Sequence, residues 1–154
     1  MLEVMDVGKS GAPVRSRVEG MKVSQNVKAE AEDVRVLLVE DDPSVAQMYK
    51  LKLELDGYRV EVAPDGVAAL ELAHNTMPDI IFLDIRLPKL DGLGVLEALR
   101  ADPATEPLPV VILSNFNERE LVERGARLGA LDHLIKSQTT PAKLVSGLDG
   151  WLKS

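Results

Sequence analysis

From Val34 onward the chain alternates short apolar runs with segments whose apolar positions recur every three or four residues. The run "VRVLLV" (34–39) is β-branched and almost wholly apolar, the composition of a parallel strand covered on both faces. "PSVAQMYKLKLELDG" follows, with Val45, Met48, Tyr49, Leu51, Leu53 and Leu55 as its apolar positions. Pro43 opens that segment and Gly57 closes it, as helix ends favour. "YRVEVA" (58–63) alternates apolar and polar residues and predicts a strand near a sheet edge. Three further pairs follow in the same order. "DGVAALELAHN" (65–75) predicts a helix and "DIIFLD" (79–84) a strand, then "GLGVLEALRAD" (92–102) a helix and "PVVILS" (109–114) a strand. "NERELVERGARLGA" (117–130) predicts a helix, "LDHLIK" (131–136) a strand and "TPAKLVSGLDGWLK" (140–153) the last helix. Five strands alternating with five helices make an α/β, doubly wound, five-stranded parallel sheet, joined by right-handed crossovers. The edge character of 58–63 suits the strand order 2-1-3-4-5. Ligands of such sheets bind beyond the C-terminal strand ends, where the winding reverses.

Residues 1–33 break this pattern. They hold Gly8, Gly11, Pro13 and Gly20, no aromatic residue and no sustained period, and are read as a flexible N-terminal extension with a weak helix from Val23 to Glu32. Residues 34–154 form the predicted domain. Composition narrows the function without naming it. The chain has no cysteine, which removes disulfides, thiolate nucleophiles and sulfur-ligated metals together. Its formal charge is -7 with no basic cluster, against direct nucleic-acid binding. No apolar run approaches the roughly 20 residues of a membrane span, and the N-terminus lacks the apolar core of a secretory signal. A cytoplasmic protein fits these absences.

Chemistry gathers at the strand ends. The first strand runs into Glu40, Asp41 and Asp42, the third into Asp84, the fourth into Ser114 and the fifth into Lys136. Taken singly, each has an ordinary reading. Asp42 before Pro43 is an N-cap, Ser114 could cap the helix at Asn117 and Glu118, and Lys136 could extend its ammonium to solvent. Asp84 is harder to dismiss, because Asp91-Gly92 already supplies turn chemistry and a buried unpaired carboxylate is costly. In the predicted strand order all four ends meet. Clustered carboxylates suit a hard, oxygen-seeking ion such as Mg2+. Add a nucleophilic carboxylate, an ammonium and a hydroxyl, and the site suits transfer of a phosphoryl group onto an aspartate.

At these residues the sequence resembles the receiver domain of two-component response regulators, a flavodoxin-like fold. The resemblance runs from Val34 to about Lys153 and rests on "LLVEDDP", "FLDIRLPKLDG", "VVILSN" and "HLIKS" in that order. It implies that Asp84 accepts phosphate from a sensor histidine kinase or phosphotransfer protein. Asp41, Asp84 and the backbone carbonyl of Arg86 would ligate Mg2+, with Glu40 acting through water. Lys136 would pair first with Asp84 and then with the phosphoryl oxygens, while Ser114 swings toward the phosphoryl group. A downstream protein would read the face of the fourth helix, fifth strand and fifth helix, and a homodimer is a further outcome in the family. The domain would be a phosphoacceptor and not an enzyme, beyond self-phosphorylation and self-dephosphorylation.

Three positions depart from the family pattern. His133 stands where Tyr or Phe is usual, and reads equally as a titratable switch or as a surface histidine. Ser137 replaces the customary proline, and without proline a cis bond costs about 2.5–4 kcal/mol, so a trans or otherwise adjusted loop is expected. Asn115 is larger than the usual neighbour of the switch hydroxyl and would narrow access to Asp84. Arg86 and Phe116, near the mouth, would act on the attacking water. Only three residues follow Trp151, from which a stand-alone receiver with output through protein contact is expected; Trp151 itself is expected to pack in the core. Two other classes compete: a phosphorylation-independent scaffold, and a phosphatase, disfavoured because Arg86 sits where its second acid would stand.

Overall fold

A computed structural model of the chain describes residues 33–153. The predicted extension, apart from Asp33, and its weak helix lie outside the described residues. Five strands form one parallel sheet: β1 (Arg35–Val39), β2 (Arg59–Ala63), β3 (Ile80–Leu83), β4 (Val110–Ser114) and β5 (Asp132–Ile135). Their order is β2-β1-β3-β4-β5, as the alternation of patterns predicts. The helices are α1 (Pro43–Leu55), α2 (Gly66–Thr76), α3 (Gly92–Ala101), α4 (Arg119–Arg127) and α5 (Pro141–Leu152). None of the described helices is long and apolar enough to cross a membrane.

Successive strand residues point to opposite faces, so each apolar strand feeds two cores. Leu37, Val39, Ile81, Leu83 and Ile112 pack beneath α2, α3 and the half-buried side chains of α4. Val36, Leu38, Ile80, Phe82, Val111 and Leu113 pack beneath α1 and α5. Trp151 joins that second core, meeting the Phe82 ring edge-on at 5.6 Å. Each fully covered Leu, Ile or Phe contributes roughly 1.5–3 kcal/mol relative to an exposed one. β2 lies at the edge, and its residues alternate between exposed and buried.

Helices start at the strand-end side of the sheet, and side-chain caps fix four of those starts. Asp42 accepts from the N–H groups of Ser44 and Val45, and Asp65 from Ala68. Asp91 accepts from Gly94 and Thr140 from Lys143. Each such cap contributes about 1 kcal/mol. The Asp91-Gly92 pair therefore starts α3 instead of merely making a turn. Gly92 also permits a close approach: a Cβ there would lie 2.0 Å from the carbonyl oxygen of Asp84.

Some predicted boundaries and faces shift. In α1 the buried residues are Ala46, Tyr49 and Leu53, while Met48, Leu51 and Leu55 are 44%, 52% and 80% exposed. The helix carries apolar residues on more than one face, and only one of them meets the sheet. β5 is shorter than predicted because Lys136 begins a 3-10 turn, Lys136–Gln138. α4 starts only at Arg119, with no side-chain cap at Glu118. Ser114 does not cap it; it is the last residue of β4.

Adding a methyl at Gly92 forces the α3 start away from Asp84. Gly92→Ala is expected to lose about 1–3 kcal/mol of stability, the usual cost of overpacking. Urea unfolding checks this, and a variant as stable as the parent would contradict the close approach.

Candidate functional site

Glu40 and Asp84 each sit one residue past an apolar strand, yet the ladder still holds their backbones. Glu40 N–H donates to Ala63 at 3.0 Å and Asp84 N–H to Val39 at 3.2 Å. Both side chains are buried, with Glu40 3% and Asp84 5% exposed. Two carboxylates so covered need positive partners. Lys136, arriving from the next strand but one, supplies one to both: its Nζ lies 2.7 Å from Glu40 Oε1 and 2.7 Å from Asp84 Oδ2. The remaining oxygens accept backbone donors, Glu40 Oε2 from Asp42 N–H at 3.0 Å and Asp84 Oδ1 from Ile85 N–H at 2.7 Å.

Asp41 completes the group from the solvent side. One carboxylate oxygen from each of Glu40, Asp41 and Asp84 lies within 4.8 Å of the others. Three acids face a single ammonium, and all their donor atoms are hard oxygens, which fits a small divalent cation of the Mg2+ type.

The lysine is buttressed by a residue the hydrophobic pattern had classed as merely apolar. Tyr49, buried on α1, donates its hydroxyl to the Thr139 carbonyl at 2.7 Å, and Thr139 Oγ1 donates to Ile135 at 2.8 Å. These bonds shape the turn that carries Lys136. Nothing in the periodicity of 43–55 marks that hydroxyl, whose acceptor lies 90 residues away.

The loop after β4 forms the other wall. Ser114 is fully buried and its Oγ accepts from Phe116 N–H at 3.1 Å. The Arg86 guanidinium, two residues past Asp84, stacks 4.1 Å over the Phe116 ring. Asn115 Oδ1 accepts from Ser137 N–H at 2.7 Å. The described residues contain no cis peptide bond, so Ser137 follows Lys136 through a trans bond. His133 is half-buried, and its Nε2 bonds the Phe116 carbonyl at 2.9 Å. The imidazole thus faces the site's loop and is no simple surface group.

Burial pushes the Glu40 carboxyl above its usual range, despite the opposing bonds from Lys136 and the Asp42 N–H. Burial acts on Lys136 in the other direction, but its hydrogen bonds to Asp84 and Glu40 outweigh that and hold its pKa up. Tyr49 is also raised, by burial first. A group with a raised folded pKa stabilises the fold fully below its unfolded value, and that contribution is lost as pH climbs through the folded value. For Lys136 and Tyr49 the unfolded values are about 10.4 and 10. Stability is therefore expected to fall above about pH 10, and Lys136→Met is expected to flatten that fall. Urea unfolding at a series of alkaline pH values checks it; an unchanged slope in the variant would contradict the shared ammonium.

The comparisons with known proteins agree with this geometry. Residues 36–149 match the response regulator receiver domain family. RpaA of Synechocystis, named a DNA-binding dual master transcriptional regulator, is 38% identical over 102 residues, 66% of this chain and 42% of that protein. The response regulator MprA of a Mycobacterium strain is 40% identical over 103 residues, 67% of this chain and 44% of its own length. The chain thus spans less than half the length of these curated relatives. Among solved structures, the receiver domain of Francisella response regulator 1452 superposes with a TM-score of 0.71 at 33% identity, covering 79% of this chain and 98% of that one. The chemotaxis response regulator CheY4 of Vibrio cholerae gives a TM-score of 0.70 at 30% identity, covering 77% and 98%. With the sheet order, the acidic cluster and the bridging lysine already in place, the chain belongs to the response regulator receiver domain family.

Proposed function

We propose that this receiver accepts a phosphoryl group on Asp84, in a Mg2+-dependent reaction, from a phosphohistidine on a sensor kinase or phosphotransfer protein. The supporting observation is the single ammonium of Lys136, 2.7 Å from both Asp84 and Glu40 and beside the exposed Asp41. Asp84 Oδ1 accepts from the Ile85 N–H and Oδ2 from Lys136, which fix the carboxylate while one of its oxygens attacks the phosphorus. As its bond to phosphorus forms, the phosphorus–nitrogen bond of the donor breaks and the electron pair returns to the imidazole nitrogen. Lys136 then moves its hydrogen bond from the carboxylate to the phosphoryl oxygens. Ser114 Oγ already accepts from Phe116 N–H, which leaves its O–H to donate to the new group. Asp41 and Asp84, with the Arg86 carbonyl and with Glu40 through water, would hold Mg2+, which when bound neutralises charge on the phosphoryl oxygens in flight.

The domain acts in this reading as an acceptor, with no turnover beyond gaining and losing its own phosphoryl group. Its output is a change in protein contacts on the face of α4, β5 and α5, where the loop carrying Ser114 meets His133. New charge and hydrogen bonds at one strand end bias that face between two packings. The acidic balance of the chain, -7 overall, favours a protein partner or a second copy over DNA as what this domain contacts directly.

Incubation with acetyl phosphate and Mg2+ is expected to add one phosphoryl group per chain by intact mass. Asp84→Asn is expected to abolish it, since an amide oxygen is a far weaker nucleophile. Unmodified wild type under these conditions would count against the reading, and modification that persists in Asp84→Asn would move the acceptor elsewhere. Partner binding unaffected by Asp84→Asn would favour the scaffold alternative.

A further inference from the structure

A phosphoryl group on Asp84 would be gripped from two neighbouring strands, by Ser114 at the end of β4 and by Lys136 just past β5. Ser114 lies opposite Ile135 in the ladder, the last pair of that strand–strand register. Beyond it the sheet no longer sets the spacing of the hydroxyl and the ammonium. Two hydrogen bonds, however, tie the loop after β4 to β5 and the turn that follows it. Asn115, immediately after the hydroxyl, accepts from the N–H of Ser137, immediately after the ammonium, at 2.7 Å. Phe116 offers its carbonyl to His133 Nε2 at 2.9 Å, and its own N–H reaches Ser114 Oγ at 3.1 Å.

Each bond depends on a residue that departs from the family's usual choice. Ser137 has an N–H to give because it is not proline, whose ring nitrogen carries no hydrogen. Asn115 has an oxygen long enough to reach it. His133 donates through Nε2–H to the Phe116 carbonyl, and its Nδ1 is buried with no hydrogen-bond partner among the described residues. The three departures are thus not independent; two of them are the two ends of one hydrogen bond.

We propose that Asn115 and His133 are positioning residues, which fasten the loop 115–116 to β5 and hold Ser114 at the spacing from Lys136 that one phosphoryl group needs. The inference rests on the phosphoacceptor reading and extends it to residues that never touch the phosphoryl group. A loop already held in its binding geometry loses less freedom when the ligand arrives, so affinity rises without a new contact.

Beryllofluoride, a stable mimic of the phosphoryl group, tests this on the full chain with Mg2+, by NMR titration. Asn115→Ala and Ser137→Pro are each expected to weaken beryllofluoride binding about fivefold, the scale of one hydrogen bond. The double variant is expected to be no weaker than either single one, because the two substitutions remove the same bond. Ser137→Ala, which keeps the N–H, is expected to bind as the wild type does. His133→Phe removes the ring donor and is expected to weaken binding, and His133→Gln, which restores a donor, to recover it. Mg2+ affinity, set by Glu40, Asp41 and Asp84, is expected to stay unchanged throughout; a general loosening of the fold would lower it in parallel. Full-strength binding in Asn115→Ala, additive losses in the double variant, or a matching loss of Mg2+ affinity would each overturn the proposal. If Ser137→Pro does not fold, Asn115→Ala against the Mg2+ control decides the matter. A wild type that fails to bind beryllofluoride overturns the phosphoacceptor reading itself, and this inference falls with it.

Discussion

One ammonium wedged between two buried carboxylates is the constraint around which this end of the sheet is arranged. Lys136 is the common partner of Glu40 and Asp84, 2.7 Å from an oxygen of each, and removing it would leave two buried carboxylates without their shared cation. The arrangement remains short of positive charge, since Asp41 adds a third acid at the rim. That excess of negative charge suits a small divalent cation. A buried ion pair of this type is weak evidence for stability, because desolvation offsets most of the Coulomb attraction. Its placement at a strand-end crevice argues for chemistry instead.

The fold delivers these groups through the period of two along each strand. Glu40 shares the parity of Val36 and Leu38, Asp84 that of Ile80 and Phe82, and Lys136 that of Leu134, all on the face covered by α1 and α5. Ser114 shares the parity of Ile112, opposite His133, on the face that α4 covers. Charge therefore collects on one side of the sheet edge, and the Ser114 hydroxyl stands with the imidazole on the other. The strand end where Ser114 sits is the place where the two layers meet.

Much of this was legible in the residues. An apolar strand that ends in a carboxylate, a hydroxyl or a lysine advertises the site, and the alternation of strand and helix patterns brings those ends together. What stayed hidden has physical causes. Met48, Leu51 and Leu55 match the helical period as well as Ala46 and Leu53 do, so periodicity could not choose which stripe of α1 would be buried. Tyr49 reads as a core aromatic, and only tertiary structure shows where its hydroxyl goes. The direct bond between Glu40 and Lys136 depends on a side-chain reach that sequence does not encode. Gly92 reads as turn chemistry, whereas the need for glycine there comes from the carbonyl of Asp84 packed against it. Asn115 and Ser137 looked like two separate exceptions, because a hydrogen bond spanning 22 residues leaves no local signal.

The account stands on the charge balance at the centre of the site, and magnesium calorimetry on wild type and Lys136→Met measures that balance most directly. If the ammonium and the metal share the same carboxylates, the wild type binds one Mg2+ per chain, and removing the ammonium tightens that binding. Magnesium that fails to bind the wild type, or that binds Lys136→Met more weakly, would contradict the arrangement.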